Sequence, residues 1–409
     1  MLRLMPAVLS FGAVLALAGA AGRSAPEPPA EKPLFQADPD HVWDRLHRHV
    51  YLRDDKLDVD EREPLSPHND GPTSTFLTKG KSHRDAVALL DEFLKAAPDR
   101  RVKDPVKRAV FQHDLWEAFT STTREARLFI FADATGRVRK AQHYVDPGDA
   151  GLDDRGPRRD VQKRLTQAMR AVALSTREID ALPDNLAAAV KAGTFPKEFD
   201  PAYPERPFLP PDLLAKDGPW VAVASATRAD ELAAPAHMAA AKGRAVFTVF
   251  LRLPAGRKAT EAYVKQFKDG KLPELPEGAQ TALLRRMVLI DDQGRPKESP
   301  VTESLQLRVY WKDDVGRPFV FRMHRGELLA GRDGGIKPVP LKNENCVSCH
   351  ARTAGQGVRT IATLYAGDPY KPALIAAGAG EQSEHTIGWL KTTYTWGLLQ
   401  GLWETEPPK

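Results

Sequence analysis

Apolar residues recur at helical spacing through the first half of the chain and at strand spacing through the second. "DHVWDRLHRHVYL" sets Trp43, Leu46, His47 and Val50 on one face by three-and-four spacing. "SHRDAVALLDEFLKAAP" places Ala86, Leu89, Leu90, Phe93 and Leu94 on another; Ser82 with Asp85 three residues on predicts the start, and Pro98 the stop. "DPVKRAVFQHDLWEAF" predicts a helix with Asp104 as N-cap and Pro105 at its first position. Further helices are expected from about Asp160 and from Ser175, the latter interrupted at Pro183 and closed at Gly193. One short β-like run, Ala126 to Val138, lies among them. From Pro219 the period changes. "PWVAVAS", "RAVFTVFLRLP", "TALLRRMVLIDD", "SLQLRVYWKDD" and "PFVFRMHRGELL" read as strands, the last two as an antiparallel hairpin. A helix, "KATEAYVKQFK", is expected after the second of them.

The pattern predicts an α+β chain: a helical N-terminal domain, then a mainly antiparallel sheet domain. A length of 409 residues also suggests two domains. The expected boundaries are a helical domain over 37–194, a connector over 195–218 and an α+β domain over 219–409. The connector holds six prolines between Phe195 and Leu214 and no periodicity, so it is expected to run extended over a surface.

Composition narrows the function classes. Apolar residues make up 42% and charged residues 28%, a normal globular balance. The net charge of +5 is spread among acids, with no basic block dense enough for nucleic acid. The opening "MLRLMPAVLSFGAVLALAGAAGR" has one basic residue, Arg3, ahead of an apolar run, and Ala18-Gly19-Ala20 as a small-x-small cleavage site. Residues 1–22 are read as an export signal and 23–36 as a Pro-rich tether, placing the protein in a periplasm or on the extracellular side of a bacterial membrane.

The chain has two cysteines, both in "NENCVSCHAR". A disulfide between Cys346 and Cys349 would close a loop too short to add much stability. Three chemical readings compete for the pair. A redox dithiol would want a thioredoxin-like βαβ context, which the pattern lacks. A structural zinc needs four ligands, and there is no second cysteine pair. Covalent haem attachment needs two thiols at this spacing, one for each vinyl group, and a histidine directly after the second. His350 then comes up under the iron as proximal ligand.

On Cys346, Cys349 and His350 the chain resembles the c-type cytochromes. The likeness covers a few residues and implies one haem c; the rest is similar to large exported bacterial proteins of unassigned function that carry one late haem motif. One departure matters. Small soluble cytochromes c take an axial methionine some tens of residues after the motif, yet all six methionines here precede Cys346. The distal candidates are therefore His385, the only histidine after the motif, and Met323, with His324 and His47 behind them. Two axial side chains would mean electron transfer or redox sensing, with a redox partner protein. An open face would mean a haem enzyme acting on a small nitrogen or peroxide substrate, a layout also similar to the hydroxylamine-oxidising cytochromes. A structural or binding protein with a secondary haem is the third reading.

Other features carry less. "LPAGRKATEAYV" lacks the first glycine of a phosphate loop. "DDKLDVDEREP" lacks the glycine of a calcium loop. His41, His47 and His49 do not share a face, which weakens a zinc reading. Trp389, Trp396 and Trp403 recur every seven residues and predict a terminal helix packed as core; a membrane-surface role for this segment is the lesser reading.

Overall fold

The computed structural model describes residues 41–52, 75–96, 102–123, 127–132, 138–143, 155–225, 237–238, 241–266, 275–311, 317–339, 374–376 and 379–405. The export signal, the tether and the cysteine motif lie outside these residues. The architecture is α+β. Its helices are α1 (Val42–His47), continued as a π-turn over Arg48–Leu52, α2 (Thr75–Thr78), α3 (Gly80–Lys95), α4 (Pro105–Thr122), α5 (Arg155–Ala171), α6 (Thr176–Asp180) and α7 (Asn185–Ala192). After these come α8 (Arg257–Gln266), α9 (Arg325–Leu329), α10 (Ala379–Lys391) and α11 (Tyr394–Thr405). Among the described residues, no helix is long and apolar enough to cross a membrane.

The local signals account for most helix ends. Asp104 accepts hydrogen bonds from the Val106 and Lys107 amides, with Pro105 where its missing N–H costs nothing. Ser175 and Glu178 form a reciprocal capping box. Gly193 closes α7 in the left-handed region at φ 69°. The expected start at Ser82 is corrected: α3 begins at Gly80, and the Ser82 hydroxyl donates to the Lys79 carbonyl within the first turn. The terminal tryptophan segment is two helices, α10 and α11, broken at Thr392 and Thr393.

The strands are β1 (Arg127–Ala132), β2 (Val138–His143), β3 (Val221–Ser225), β4 (Ala245–Arg252), β5 (Gln280–Ile290), β6 (Pro296–Val309), β7 (Arg317–Met323), β8 (Ile336–Val339) and β9 (Leu374–Ala376). β1 and β2 pair as a separate hairpin. The others form one sheet in the order β8-β7-β6-β5-β4-β3-β9, with every pair antiparallel. The expected β6–β7 hairpin is present, but its second strand ends at Met323, and the residues after it form α9 under a His324 N-cap. "GRDGGIKP" is a turn, as its glycines suggest, and also the entry to β8.

One hydrophobic cluster joins the two halves. Trp43, Phe111 and Leu165 share it with Leu284, Leu305 and Phe321. The Pro-rich stretch does not simply cross a surface. Phe195 packs edge-on against Phe321 at 5.2 Å, and Phe208 against Phe319 at 5.5 Å. Phe208, Leu209 and Leu213 are buried. Prolines keep this segment out of regular structure, and its aromatics seat it on the sheet face of Leu305, Phe319 and Phe321. α7 joins the same side: the Asn185 side chain donates to the Thr302 carbonyl at 3.0 Å and accepts from the Thr302 amide at 2.7 Å.

The turn before β8 packs where only glycine fits. Gly334 and Gly335 have φ of 65° and 67°. A Cβ on Gly334 would meet the Asn185 carbonyl and lie 2.8 Å from the Ala189 nitrogen. Gly334→Ala is expected to destabilise the fold by at least about 1–3 kcal/mol, from the left-handed backbone alone. Urea unfolding of the purified variant measures this; a midpoint equal to wild type would show that the turn tolerates displacement.

Candidate functional site

Cys346, Cys349 and His350 lie outside the described residues. β8 ends at Val339, seven residues before Cys346. The distal candidates have separate settings. Met323 ends β7 opposite Ile336 and is 6% exposed within the main core. His324, the next residue, caps α9 by accepting from the Glu327 amide through Nδ1 at 3.3 Å. His385 is half-buried on α10. His47 is 1% exposed and faces a carboxylate.

That carboxylate belongs to α4, the most deeply set helix. Residues 109–116 are buried without a break, so this helix has no solvent face along its middle. It nevertheless carries Gln112, His113 and Asp114 in succession, each at 1–2% exposure. Buried polar groups at this depth need partners. Gln112 binds the end of β5 as another strand would: its Nε2 donates to the Ile290 carbonyl at 2.8 Å and its Oε1 accepts from the Ile290 amide at 3.0 Å.

Asp114 is held from two sides. His47 Nε2 lies 2.9 Å from Oδ2, and Arg325 Nη2 donates to Oδ1 at 2.8 Å. Arg325 also donates to the Tyr51 hydroxyl at 2.9 Å and lies over its ring, while that ring stacks on His47 at 4.9 Å. Burial by itself would raise the Asp114 carboxyl. The Arg325 charge and the His47 hydrogen bond outweigh it and hold the group at about 2. Burial likewise works against the Arg325 charge, yet Asp114 and Tyr51 keep its pKa above the ordinary value.

His113 opens a second branch. Its Nε2–H donates to the Arg244 carbonyl at 3.2 Å, and Nδ1 lies 3.6 Å from Glu303 Oε1. Burial pushes this imidazole down, so it stays neutral despite Glu303. Glu303 is the extra residue of a β-bulge: Arg285 pairs with Ser304 and Arg286 with Thr302, leaving Glu303 between them. Its Oε2 lies 2.8 Å from Arg285 Nε, without the alignment of a hydrogen bond. Arg285 is wholly buried over the Phe247 ring, and burial lowers its pKa. Its Nη1 and Nη2 have no hydrogen-bond partner.

Three arginines, Arg244, Arg285 and Arg325, thus balance three acids, Asp114, Glu117 and Glu303, where helices meet sheet. Such a cluster can fix the position of α4 and set the field on a charged neighbour. Among the described residues, no group of three or more His, Cys, Asp or Glu is placed to hold a metal ion. Of the described candidates, His47 joins this cluster, while Met323, His324 and His385 are not among its members. The missed members had one readable signal, the Gln-His-Asp run inside an otherwise apolar helix. No protein-family model matches the chain, and neither a curated protein nor a solved structure does.

Proposed function

We propose that this chain is an exported monohaem c-type cytochrome-like protein, serving electron transfer or redox sensing. The observation that carries the reading is the run Cys346-Val347-Ser348-Cys349-His350 behind an export-type N-terminus. The two thiols would hold haem c, and His350 would ligate its iron. The bound haem supplies a one-electron couple; the protein supplies attachment, burial and charge around it. A redox partner protein follows from electron transfer as a function.

A second reading is kept because no methionine follows the motif. In it the iron has an open face and works on a small nitrogen or peroxide substrate. Spectra of the reduced protein with and without carbon monoxide separate the two. The expected result is a covalent c-type spectrum that carbon monoxide leaves unchanged. A carbon monoxide shift in native protein would favour the enzyme. Cys349→Ala should abolish two-point attachment, seen as a one-thioether pyridine haemochrome or loss of haem. Full two-thioether loading in that variant would refute the motif assignment.

A further inference from the structure

The surroundings of His113 fix its tautomer. Its Nε2 lies 3.2 Å from the Arg244 carbonyl, which can only accept, so Nε2 carries the hydrogen. In the neutral ring Nδ1 is then a bare lone pair. It makes no hydrogen bond, and 3.6 Å away is Glu303 Oε1, a second acceptor. His113 is 1% exposed and Glu303 3%. Two acceptors thus face each other across a buried gap. One proton placed between them would turn the contact into a charge-assisted hydrogen bond.

Glu303 is placed to move. Charge holds its Oε2 to Arg285 Nε, without an aligned hydrogen bond. As the bulge residue it has no partner in the β5–β6 ladder, so it can shift without breaking a rung. His113 is more firmly set. Gln112 clamps α4 to the Ile290 backbone, and Asp114 is held by His47 and Arg325. Charge-assisted N–H···O bonds run about 2.7–2.9 Å, so closing the 3.6 Å gap takes less than about 1 Å of movement. The next residue back, Thr302, bonds the Asn185 side chain at the start of α7 through both its amide and its carbonyl. A shift of the bulge is therefore passed to α7.

The other charges near α4 have their own partners. Arg244, before β4, meets Glu117, and Arg285 faces His113 from β5. Asp114 answers Arg325 from α9 and His47 from α1, and Tyr51 from the π-turn meets Arg325. Glu178 of α6 faces Arg108, while Arg158 of α5 and Lys242 donate to the Thr122 and Thr120 carbonyls. The carboxylate that faces Nδ1 is Glu303.

We propose that the Glu303 bulge is a proton-operated switch: a proton taken from water onto His113 Nδ1 draws the Glu303 carboxylate away from Arg285 and shifts the bulge against α7. Burial lowers His113, so the switch turns below the ordinary imidazole value of about 6.5. It does not depend on the haem.

The test follows the full-length protein from pH 8 downward. Nitrogen-15 labelling of the histidines, with His113→Gln to assign the signal, reads the imidazole. Hydrogen exchange, corrected for the intrinsic effect of pH, reads the bulge and α7. At pH 8 the ring is expected as the neutral Nε2–H tautomer. On acidification, exchange at 301–304 and 185–192 should change with the midpoint of the imidazole, while α8 stays unchanged. His113→Gln should lose that step. Glu303→Gln should lower the His113 midpoint by about 1–3 units, the range for losing an adjacent opposite charge. If Glu303→Gln does not fold, the wild-type and His113→Gln arms decide. An imidazole that titrates while the bulge and α7 stay unmoved would overturn the switch. So would a ring that stays neutral until the whole protein unfolds, or a midpoint that Glu303→Gln leaves unchanged.

Discussion

Asp114→Ala is expected to destabilise the protein by about 3–5 kcal/mol, the range for removing one partner of a buried ion pair. The cost comes mainly from what is left behind. Arg325 is 4% exposed and gives Nη2 to Asp114 and to the Tyr51 hydroxyl. Without Asp114 its charge stays buried with a phenol in place of a carboxylate, and His47 loses the partner of its Nε2. Removing both charges is a different matter. Asp114→Ala combined with Arg325→Met should recover much of the loss, since apolar replacement of a whole buried pair is often neutral. Urea unfolding of wild type, both single variants and the double variant gives the coupling. A single variant within about 1 kcal/mol of wild type would mean the pair is worth no more than a surface one.

The second large effect is an acid limit to stability in two stages, with signs that can be worked out. His113 is neutral in the fold because burial lowers it, whereas the unfolded chain takes up its proton below about pH 6.5. The unfolded state then binds more protons, so stability falls as pH drops below 6.5 and continues to fall until the folded imidazole also protonates. Asp114 is depressed from 3.8 to about 2. Its contribution, about 2 kcal/mol at neutral pH, is intact above the unfolded value and disappears as pH falls from about 4 towards 2. His113→Gln should flatten the upper stage and leave the lower one. Chemical unfolding at a series of pH values between 3 and 8 resolves the two. A profile for His113→Gln parallel to wild type above pH 5 would assign the upper stage to another group.

Much of the element pattern was legible in the chain because its causes are local. Asp104 with Pro105, Ser175 with Glu178, and Gly193 each satisfy helix ends with neighbouring residues. Alternation in "SLQLRVYW" marks a strand with two unlike faces. What was not legible depends on distance along the chain. Asp114 meets His47 across 67 positions and Arg325 across 211. Arg285 and Ser304 are ordinary strand residues until the register sets them side by side. The connector looked like a boundary because proline erases periodicity, while the value of Phe195 and Phe208 lies in rings more than 100 residues away. The α3 start was misplaced because Ser82 can serve its own turn as readily as cap it. The run Cys346 to His350 is the opposite case: the attachment chemistry proposed for it depends on spacing alone, so the proposal needs no fold.

The aromatic seating of the connector bears on how the chain could be cut. Tyr203 is 63% exposed, between Phe199 on one side and Phe208 on the other. Both of those rings pack on Phe319. A protease nick at Tyr203 would therefore leave each new end anchored to the same strand, and the two fragments should co-elute as one particle. Made separately, each fragment would expose its share of the common cluster and be prone to aggregate. Fragment complementation, with co-elution as readout, is the natural format for dissecting this protein; truncation at the proline-rich stretch is not.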